Sequence, residues 1–316
     1  MKKTKLLLIF PFIAMALTGC NLAKKKTTIG ISQLIKHDAL DAATKGFMDA
    51  VKEGLGEENV TFDLQNAAGD SATCATIANS FVSKKVDLIM ANATPALQAA
   101  YNSTTTIPIL GTSITEYGVA LGLEHFEGTV GGNVSGTSDL APLDEQAQML
   151  VDVFPSATKV GLLYCSAEAN SLYQVQVVES ELQAKGLTTT RMSFSDSNDI
   201  SSVLNGNINN IDVLYIPTDN TAASCTSVIN SVCSSHNVPV VAGEEGLCKG
   251  CGAVTLSISY YNLGLKTGQM AVEILKDKKD ISKMPIAYDE NPVKKYNPTI
   301  CEALGVTVPE GFVAID

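Results

Sequence analysis

The chain carries the same order of apolar strands and amphipathic helices twice, and this internal repeat restricts the folds that it can adopt. The strands predicted in the first half are 28–31, 60–64, 86–91 and 107–110. Their counterparts in the second half are 159–164, 188–194, 211–216 and 238–241. Because apolar strands that alternate with helical segments indicate parallel sheets covered on both faces, the sequence predicts an α/β fold with two Rossmann-like lobes.

The C-terminal part of the chain adds elements that the repeat does not explain. From Ala253 onward the sequence contains one more strand and a helix at 263–275. One lobe must take these elements, so the chain has to cross between the lobes more than once, which predicts a hinge of several crossings. The expected N-terminal lobe is 28–120 plus about 256–288, and the expected C-terminal lobe is about 135–255 plus 289–316.

The N-terminus predicts export and lipid attachment. Lys2, Lys3 and Lys5 precede an apolar run at 6–16, which leads into the sequence LTGC ending at Cys20. This run is shorter than the roughly 20 residues that a transmembrane helix needs, so it is typical of a cleaved signal. A Cys at the cleavage point predicts diacylation and anchoring to the membrane on the secreted side, although an ordinary signal with an incidental Cys is the alternative. The predicted segments are a signal peptide at 1–19 and a lipidated tether at 20–27.

Charge and motif content argue against several classes of function. The formal net charge is −11, and an acidic chain is a poor partner for nucleic acid. The His residues are His37, His125 and His236, and none has the spacing of a metal-ligand pair. The sequence contains no G-x-S-x-G elbow, P-loop or G-x-G-x-x-G after the first strand. We therefore expect neither an enzyme nor a cofactor or metal site, and His37 is equally compatible with ligand contact and with a capping or surface role.

The cysteines leave three alternatives open. Apart from Cys20 the chain has seven, an odd number, and Cys248 and Cys251 form the closest pair. These two could form a disulfide, belong to a metal site with Cys225 and Cys233 upstream, or remain packed thiols. The sequence does not decide among them.

Polar side chains follow the ends of the predicted strands in both halves. In open parallel sheets ligands bind beyond the carboxyl ends of the strands. Helix N-termini suit a ligand carboxylate, and a nearby acid suits an ammonium group, although each of these residues could instead be an ordinary helix cap. The candidate ligand-binding residues are Gln33, Thr94, Thr112, Ser113, Glu168, Asn170, Ser171, Thr218, Asp219, Asn220 and Glu244.

The run IGISQLIKHDALDAATKGFMDAV resembles the opening of the ABC-transporter substrate-binding family that includes tryptophan-binding lipoproteins. Further stretches fit in order across the mature chain, and the more specific parts are EANS and PTDN. The resemblance implies a type I periplasmic-binding-protein-like clamshell that binds an amino acid, with tyrosine, tryptophan or phenylalanine expected. It also implies an ABC permease and ATPase as partners and a monomeric binding protein. Cys248 and Cys251 depart from the family pattern.

The same resemblance suggests roles for the candidate residues. Hydroxyls and amides would hold the ligand carboxylate, and an acid would hold its ammonium. Candidate aromatic partners for the ligand side chain are Tyr117, Tyr164, Tyr260 and Tyr261. The alternative functions are a surface adhesin or interaction lipoprotein, and a ligand sensor, on the same fold.

Overall fold

A computed structural model describes residues 26–289 and 291–315 and shows two α/β lobes, each built around one sheet. The first-lobe strands are β1 (Thr27–Gln33), β2 (Val60–Asn66), β3 (Leu88–Asn92), β4 (Ile109–Ile114), β5 (Val134–Ser138) and β11 (Ala287–Tyr288). The second-lobe strands are β6 (Lys159–Cys165), β7 (Thr188–Phe194), β8 (Val213–Ile216), β9 (Val240–Ala242), β10 (Val254–Ser257), β12 (Val293–Tyr296) and β13 (Val313–Ala314). The first sheet has the order β11-β5-β4-β3-β1-β2 and the second the order β13-β12-β10-β9-β8-β6-β7.

Helices pack against both sheets, which confirms the predicted α/β class. All adjacent strands pair in parallel except β10 and β12. The first-lobe helices are α1 (Asp38–Leu55), α2 (Ser71–Lys84), α3 (Thr94–Ser103), α4 (Tyr117–Leu121) and α11 (Tyr260–Leu275). The second-lobe helices are α5 (Leu143–Val153), α6 (Ala169–Ala184), α7 (Ile200–Asn207), α8 (Asn220–Ala223), α9 (Thr226–Ser235), α10 (Glu245–Cys251) and α12 (Pro298–Leu304).

The late helix α11 belongs to the first lobe because it packs closely on α1. Leu40, Ala43 and Phe47 give α1 its buried apolar face. A Cβ at Gly264 would lie 2.0 Å from the Ala43 carbonyl oxygen, so only glycine permits this approach of the two helices. The C-terminal segment therefore completes the lobe that the N-terminal segment begins.

The chain crosses between the lobes in three places: after β5, between β10 and α11, and between β11 and β12. The predicted C-terminal lobe began near residue 135, whereas Val134–Ser138 pairs with β4 in the first sheet. The predicted boundary was wrong because β5 is not one of the apolar strands that repeat in the two halves of the sequence. The second lobe begins instead with α5, after Asp139 has left the first sheet.

The cysteines in the described part of the chain are free thiols. Cys248 Sγ donates to the Gly252 carbonyl and Cys251 Sγ donates to the Leu247 carbonyl, so both thiols bond to the backbone in and next to α10. Among residues 26–289 and 291–315, no cluster of three His, Cys, Asp or Glu side chains has the geometry of a metal site. No helix within those ranges is long and apolar enough to cross a membrane. Cys20 and the predicted signal peptide lie outside the described residues.

Candidate functional site

The polar residues that follow the strands are buried, and some of them lie where the two lobes meet. Each candidate is less than one-tenth exposed. Three contacts join the lobes at this boundary. Thr115 Oγ1 lies 3.4 Å from Thr218 Oγ1, Gln174 Nε2 lies 3.4 Å from Thr115 Oγ1, and His37 Nε2 lies 3.2 Å from Asn220 Oδ1. The lobes are therefore closed on each other, and Thr115 and Gln174 are site residues that the sequence pattern did not indicate, since neither directly follows a predicted strand.

Glu168 connects the starts of two helices on the second-lobe side of the boundary. It directly precedes α6, and its carboxylate reaches across to the N-terminus of α8. Glu168 Oε1 accepts from Thr221 N at 2.9 Å and from Thr221 Oγ1 at 2.8 Å. Glu168 Oε2 accepts from Asn220 N at 3.2 Å and from Asn220 Nδ2 at 2.5 Å. Glu168 therefore accepts the backbone N–H groups of Asn220 and Thr221 and joins the starts of α6 and α8.

Asp219 caps α8 and also fixes the end of a neighbouring strand. Its Oδ1 accepts from Ala222 N at 2.8 Å and its Oδ2 accepts from Cys165 N at 2.6 Å. Burial raises the pKa of Asp219, and the nearby charge of Glu168 raises it further. Both carboxylate oxygens thus bind backbone N–H groups, and a direct contact with a ligand ammonium stays a prediction.

Glu244 performs the same capping task at α10. Its two carboxylate oxygens accept the N–H groups of Gly246 and Leu247. Burial outweighs these bonds and raises the pKa of Glu244 to about 7. The acids after β8 and β9, Asp219 and Glu244, therefore both cap the helices that follow them.

Two first-lobe candidates form hydrogen bonds within their own lobe. Gln33 Oε1 accepts from Thr44 Oγ1 at 2.7 Å, and Gln33 Nε2 donates to Asp41 Oδ1 at 2.6 Å. Thr112 Oγ1 lies 3.2 Å from Thr137 Oγ1 inside the lobe. These side chains shape the first-lobe wall, and whether they touch a ligand stays a prediction.

Seven buried side-chain atoms have no hydrogen-bond partner in the described part of the chain: Ser32 Oγ, His37 Nδ1, Asn92 Oδ1, Ser113 Oγ, Asp139 Oδ1, Asn170 Oδ1 and Thr255 Oγ1. His37 and Asn170 lie at the contacts between the lobes, since His37 Nε2 lies against Asn220 Oδ1 and Asn170 Nδ2 donates to the Thr218 carbonyl. A buried donor or acceptor without a partner is costly, so a ligand or an ordered water that supplied one would stabilise these atoms. Ser113 also has a φ of 55°, a conformation that few residues other than glycine adopt, and such strain concentrates at functional sites.

The first-lobe wall also carries the N-terminus of α3. Thr94 and Pro95 begin this helix directly after β3, and Thr94 is 2% exposed. Ala93 precedes it with a φ of 89°, which is strained for a residue with a Cβ. A helix start next to the unpartnered Ser113 hydroxyl offers N–H and O–H donors to an anionic group.

The aromatic candidates separate into two groups. Tyr117 and Tyr164 are packed in the cores of the two lobes. Tyr260 and Tyr261 begin α11 and border a cavity of about 260 Å³ that α1 and α10 also line. The hydroxyls of Tyr260 and Tyr261 donate to Asp139 and Asp49 respectively. Tyr260 and Tyr261 are thus the pair near the boundary between the lobes.

Two lobes that close over buried, partly unpaired polar groups, with several chain crossings as a hinge, define a two-lobed solute-binding protein. Residues 28–315 match the model of the family described as ABC transporter substrate binding protein. The chain belongs to this family, and its fold is that of the type I periplasmic binding proteins.

Relatives that bind aromatic amino acids support this membership. A tyrosine-binding protein of Clostridioides difficile is 38% identical over 258 residues, which are 81% of this chain and 74% of that protein. A Streptococcus pneumoniae domain in complex with L-Trp is 29% identical, with a TM-score of 0.87 over 92% of this chain and all of that one.

A third relative differs in the arrangement of its lobes. The ligand-free, open structure of a C. difficile substrate-binding protein with adhesive properties is 36% identical. Its TM-score is 0.69 over 92% of this chain and 99% of that one. The present structure therefore resembles the tryptophan complex more closely than the open protein, despite the lower sequence identity of the tryptophan-binding domain.

Proposed function

We propose that this protein is the lipid-anchored, extracytoplasmic binding component of an ABC importer and that it captures an aromatic amino acid between its lobes. The observation that carries the proposal is the set of buried polar atoms without partners at the closed boundary, chiefly Ser113 Oγ and Asn170 Oδ1. The relatives that bind tyrosine and tryptophan support the ligand class. Membership in a family of substrate-binding proteins supports binding without catalysis.

The geometry supports a division of roles between the lobes. The first lobe offers the start of α3 and the hydroxyls of Ser113 and Ser32, which suit a carboxylate because they are donors. The second lobe offers Asn170 Oδ1 as an acceptor, close to the carboxylate of Glu168, which suits an ammonium group. An α-amino acid carries both groups on one carbon, so it would bind both lobes and stabilise the closed form.

The experiment is to identify the ligand directly. The protein is purified without refolding and then denatured, and the released small molecules are identified by mass spectrometry. Calorimetric titration of ligand-stripped protein with tyrosine, tryptophan and phenylalanine follows, with glucose and leucine as controls. We expect an aromatic amino acid in the extract and tight binding of at least one of the three. Recovery of a sugar alone, together with no heat from any amino acid, would contradict the proposed ligand class.

A second candidate function is adhesion. It is favoured by the 36% identical relative, which is described as having adhesive properties. The two functions are separable because transport requires the boundary between the lobes and adhesion requires only an outer surface. Attachment to host cells that persists after substitution of Ser113 would assign adhesion to another surface of the molecule.

A further inference from the structure

His37 occupies an unusual position at the start of α1. It is the residue before the helix, yet its side chain makes no capping hydrogen bond. The ring instead extends across the boundary between the lobes, where Nε2 lies 3.2 Å from Asn220 Oδ1. It also lines a cavity of about 260 Å³ together with Glu244 and Lys249 of the second lobe. The ring is therefore placed for a role between the lobes.

The neighbours of His37 determine which ring nitrogen carries the proton. Glu168 accepts hydrogen bonds from two backbone N–H groups and the Thr221 hydroxyl, so its carboxylate is an acceptor here. Asn220 must then turn its Nδ2 group toward Glu168, as it does at 2.5 Å, because its oxygen would meet another acceptor there. Asn220 Oδ1 consequently faces His37 and accepts, which requires a proton on His37 Nε2. A neutral ring with a proton on Nε2 has an unprotonated Nδ1 with a lone pair.

The lone pair on His37 Nδ1 is buried and has no partner among residues 26–289 and 291–315. Burial lowers the pKa of His37 and so favours the neutral ring, although Asn220, Glu168, Asp41 and Asp38 act in the opposite direction. In a neutral ring this atom is a buried acceptor for which no described residue supplies a donor. An N–H or O–H donor from outside the protein would satisfy it.

We infer that His37 Nδ1 is a ligand-binding acceptor that takes a hydrogen bond from an N–H or O–H group of the captured amino acid. This inference rests on the proposed function, because it assigns a further contact in the same site. The two nitrogens of the His37 ring then have different partners: Nε2 donates to Asn220 of the second lobe, and Nδ1 accepts from the bound ligand. A donor group on the ligand therefore links ligand binding to closure of the lobes through one ring.

Two substitutions separate the two nitrogens. The amide nitrogen of Gln stands as many bonds from Cβ as His Nε2, so His37→Gln can still donate to Asn220 but offers no acceptor at the Nδ1 position. The amide of Asn stands as many bonds from Cβ as His Nδ1, so His37→Asn keeps an acceptor there and loses the contact with Asn220. The matched control is His125→Gln on an exposed loop of the first lobe.

Calorimetry with the aromatic amino acid that binds the wild type gives the first readout. We expect His37→Gln to lose about tenfold or more in affinity, because the ligand donor is left unpaired on binding. His37→Asn should retain more affinity than His37→Gln, and His125→Gln should match the wild type. Equal affinity of His37→Gln and the wild type, or equal losses in both His37 variants, would overturn the inference. Absence of binding by the wild type itself would instead refute the proposed function.

Two further measurements make the test independent of how the variants fold. Long-range proton–nitrogen NMR spectra of the wild type should show the Nε2-protonated form of His37, with an Nδ1 resonance that moves on ligand addition. A resonance that does not move would indicate that water or no group occupies Nδ1, and would refute the inference. Spectra with tyrosine, phenylalanine and N-acetyl-tyrosine identify the donor group of the ligand. If phenylalanine binds without moving the Nδ1 resonance, the donor is the phenol hydroxyl. If N-acetyl-tyrosine binds without moving it, the donor is the ammonium group.

Discussion

The Tyr260 hydroxyl donates a 2.8 Å hydrogen bond to Asp139 Oδ2, and this bond ties together two of the crossings between the lobes. Asp139 follows β5 at the first crossing, and Tyr260 begins α11 after the second. The Ser259 N–H, next to Tyr260, lies 3.3 Å from Asp289 Oδ2 at the third crossing. Side-chain bonds therefore link all three connections, so the hinge can act as one unit.

Replacing Tyr260 with Phe should destabilise the protein. Asp139 is buried, its Oδ1 has no partner among the described residues, and burial raises its pKa. Without the Tyr260 hydroxyl this buried carboxyl loses a hydrogen-bond donor. We therefore expect the free energy of unfolding to fall by about 1–3 kcal/mol. Urea denaturation followed by circular dichroism measures the loss. The control is Tyr261→Phe, whose hydroxyl bonds to the partly exposed Asp49, where water can replace the lost hydrogen bond, so its loss of stability should be clearly smaller. Equal losses in the two variants would contradict the special role of Asp139.

Thr115→Val should shift the lobes toward the open form. The Thr115 hydroxyl bonds across the boundary, with Thr218 Oγ1 and Gln174 Nε2 both at 3.4 Å, and Val keeps its shape without the hydroxyl. Loss of one such bond is worth about 1 kcal/mol, which would reduce ligand affinity by up to roughly tenfold. Small-angle scattering should show a larger radius for the variant at subsaturating ligand.

The control for Thr115→Val is Thr255→Val in the core of the second lobe. Thr255 is fully buried, and its hydroxyl has no partner in the described part of the chain. This variant should leave both radius and affinity unchanged. A wild-type radius in Thr115→Val at every ligand concentration would show that the contact does not influence closure.

Much of the fold could be predicted because most central strands of the two sheets are apolar runs that recur in the same order in both halves of the chain. The repeat predicted one sheet in each half of the chain. The additional helix after residue 260 predicted that the chain crosses between the lobes several times. The pattern missed β5, because Val134–Ser138 reads VSGTS and has one strongly apolar residue, although every residue of it is buried. Its burial comes from packing against β4 and α11, which local sequence does not encode.

The strand ends indicated a set of polar residues that the structure shows to be buried, but the hydrogen bonds of these residues could not be predicted. That they bind a ligand stays a prediction. Sequence cannot show whether a carboxylate at a strand end bonds to its own helix. Asp219 and Glu244 both bond to backbone N–H groups of the helices that follow them. The contacts of Thr115 and Gln174 depend on how the lobes close, which has no local signal.

Stability should depend on the protonation of Glu244. Its pKa rises from 4.5 to about 7 in the folded protein because burial penalises the charge. Between about pH 4.5 and 7 the folded state keeps a proton on Glu244 that the unfolded state has lost. The free energy of unfolding contributed by this group therefore falls as the pH increases through that window. Across the whole window the decrease in the free energy of unfolding is of the order of 3 kcal/mol. Glu244→Gln should remove this slope, and the difference between the unfolding curves of variant and wild type at several pH values measures it. Parallel pH profiles would contradict the assignment.

Lipid attachment is tested at Cys20, which lies outside the described residues. We expect Cys20→Ala to release the protein from the membrane or leave it unprocessed, because the acylated thiol is the proposed anchor. Detergent phase partitioning of cells that express each form reports the anchor, and calorimetry on the soluble variant should show unchanged ligand affinity. A correctly cleaved variant that still partitions with the membrane would argue against a lipoprotein.

Ser113 and Asp219 should respond oppositely to replacement by Ala. Ser113 Oγ is buried without a partner in the described residues, so its removal should not lower the stability of the empty protein. Its loss should weaken binding about tenfold or more, because the ligand carboxylate loses a donor. Asp219→Ala should instead lower the free energy of unfolding by about 2 kcal/mol or more, because two buried N–H groups, those of Ala222 and Cys165, lose their acceptor. Thermal melts of ligand-free protein and calorimetry of both variants give the comparison. A stable Asp219→Ala protein that has lost several decades of affinity would show that Asp219 binds the ligand ammonium directly.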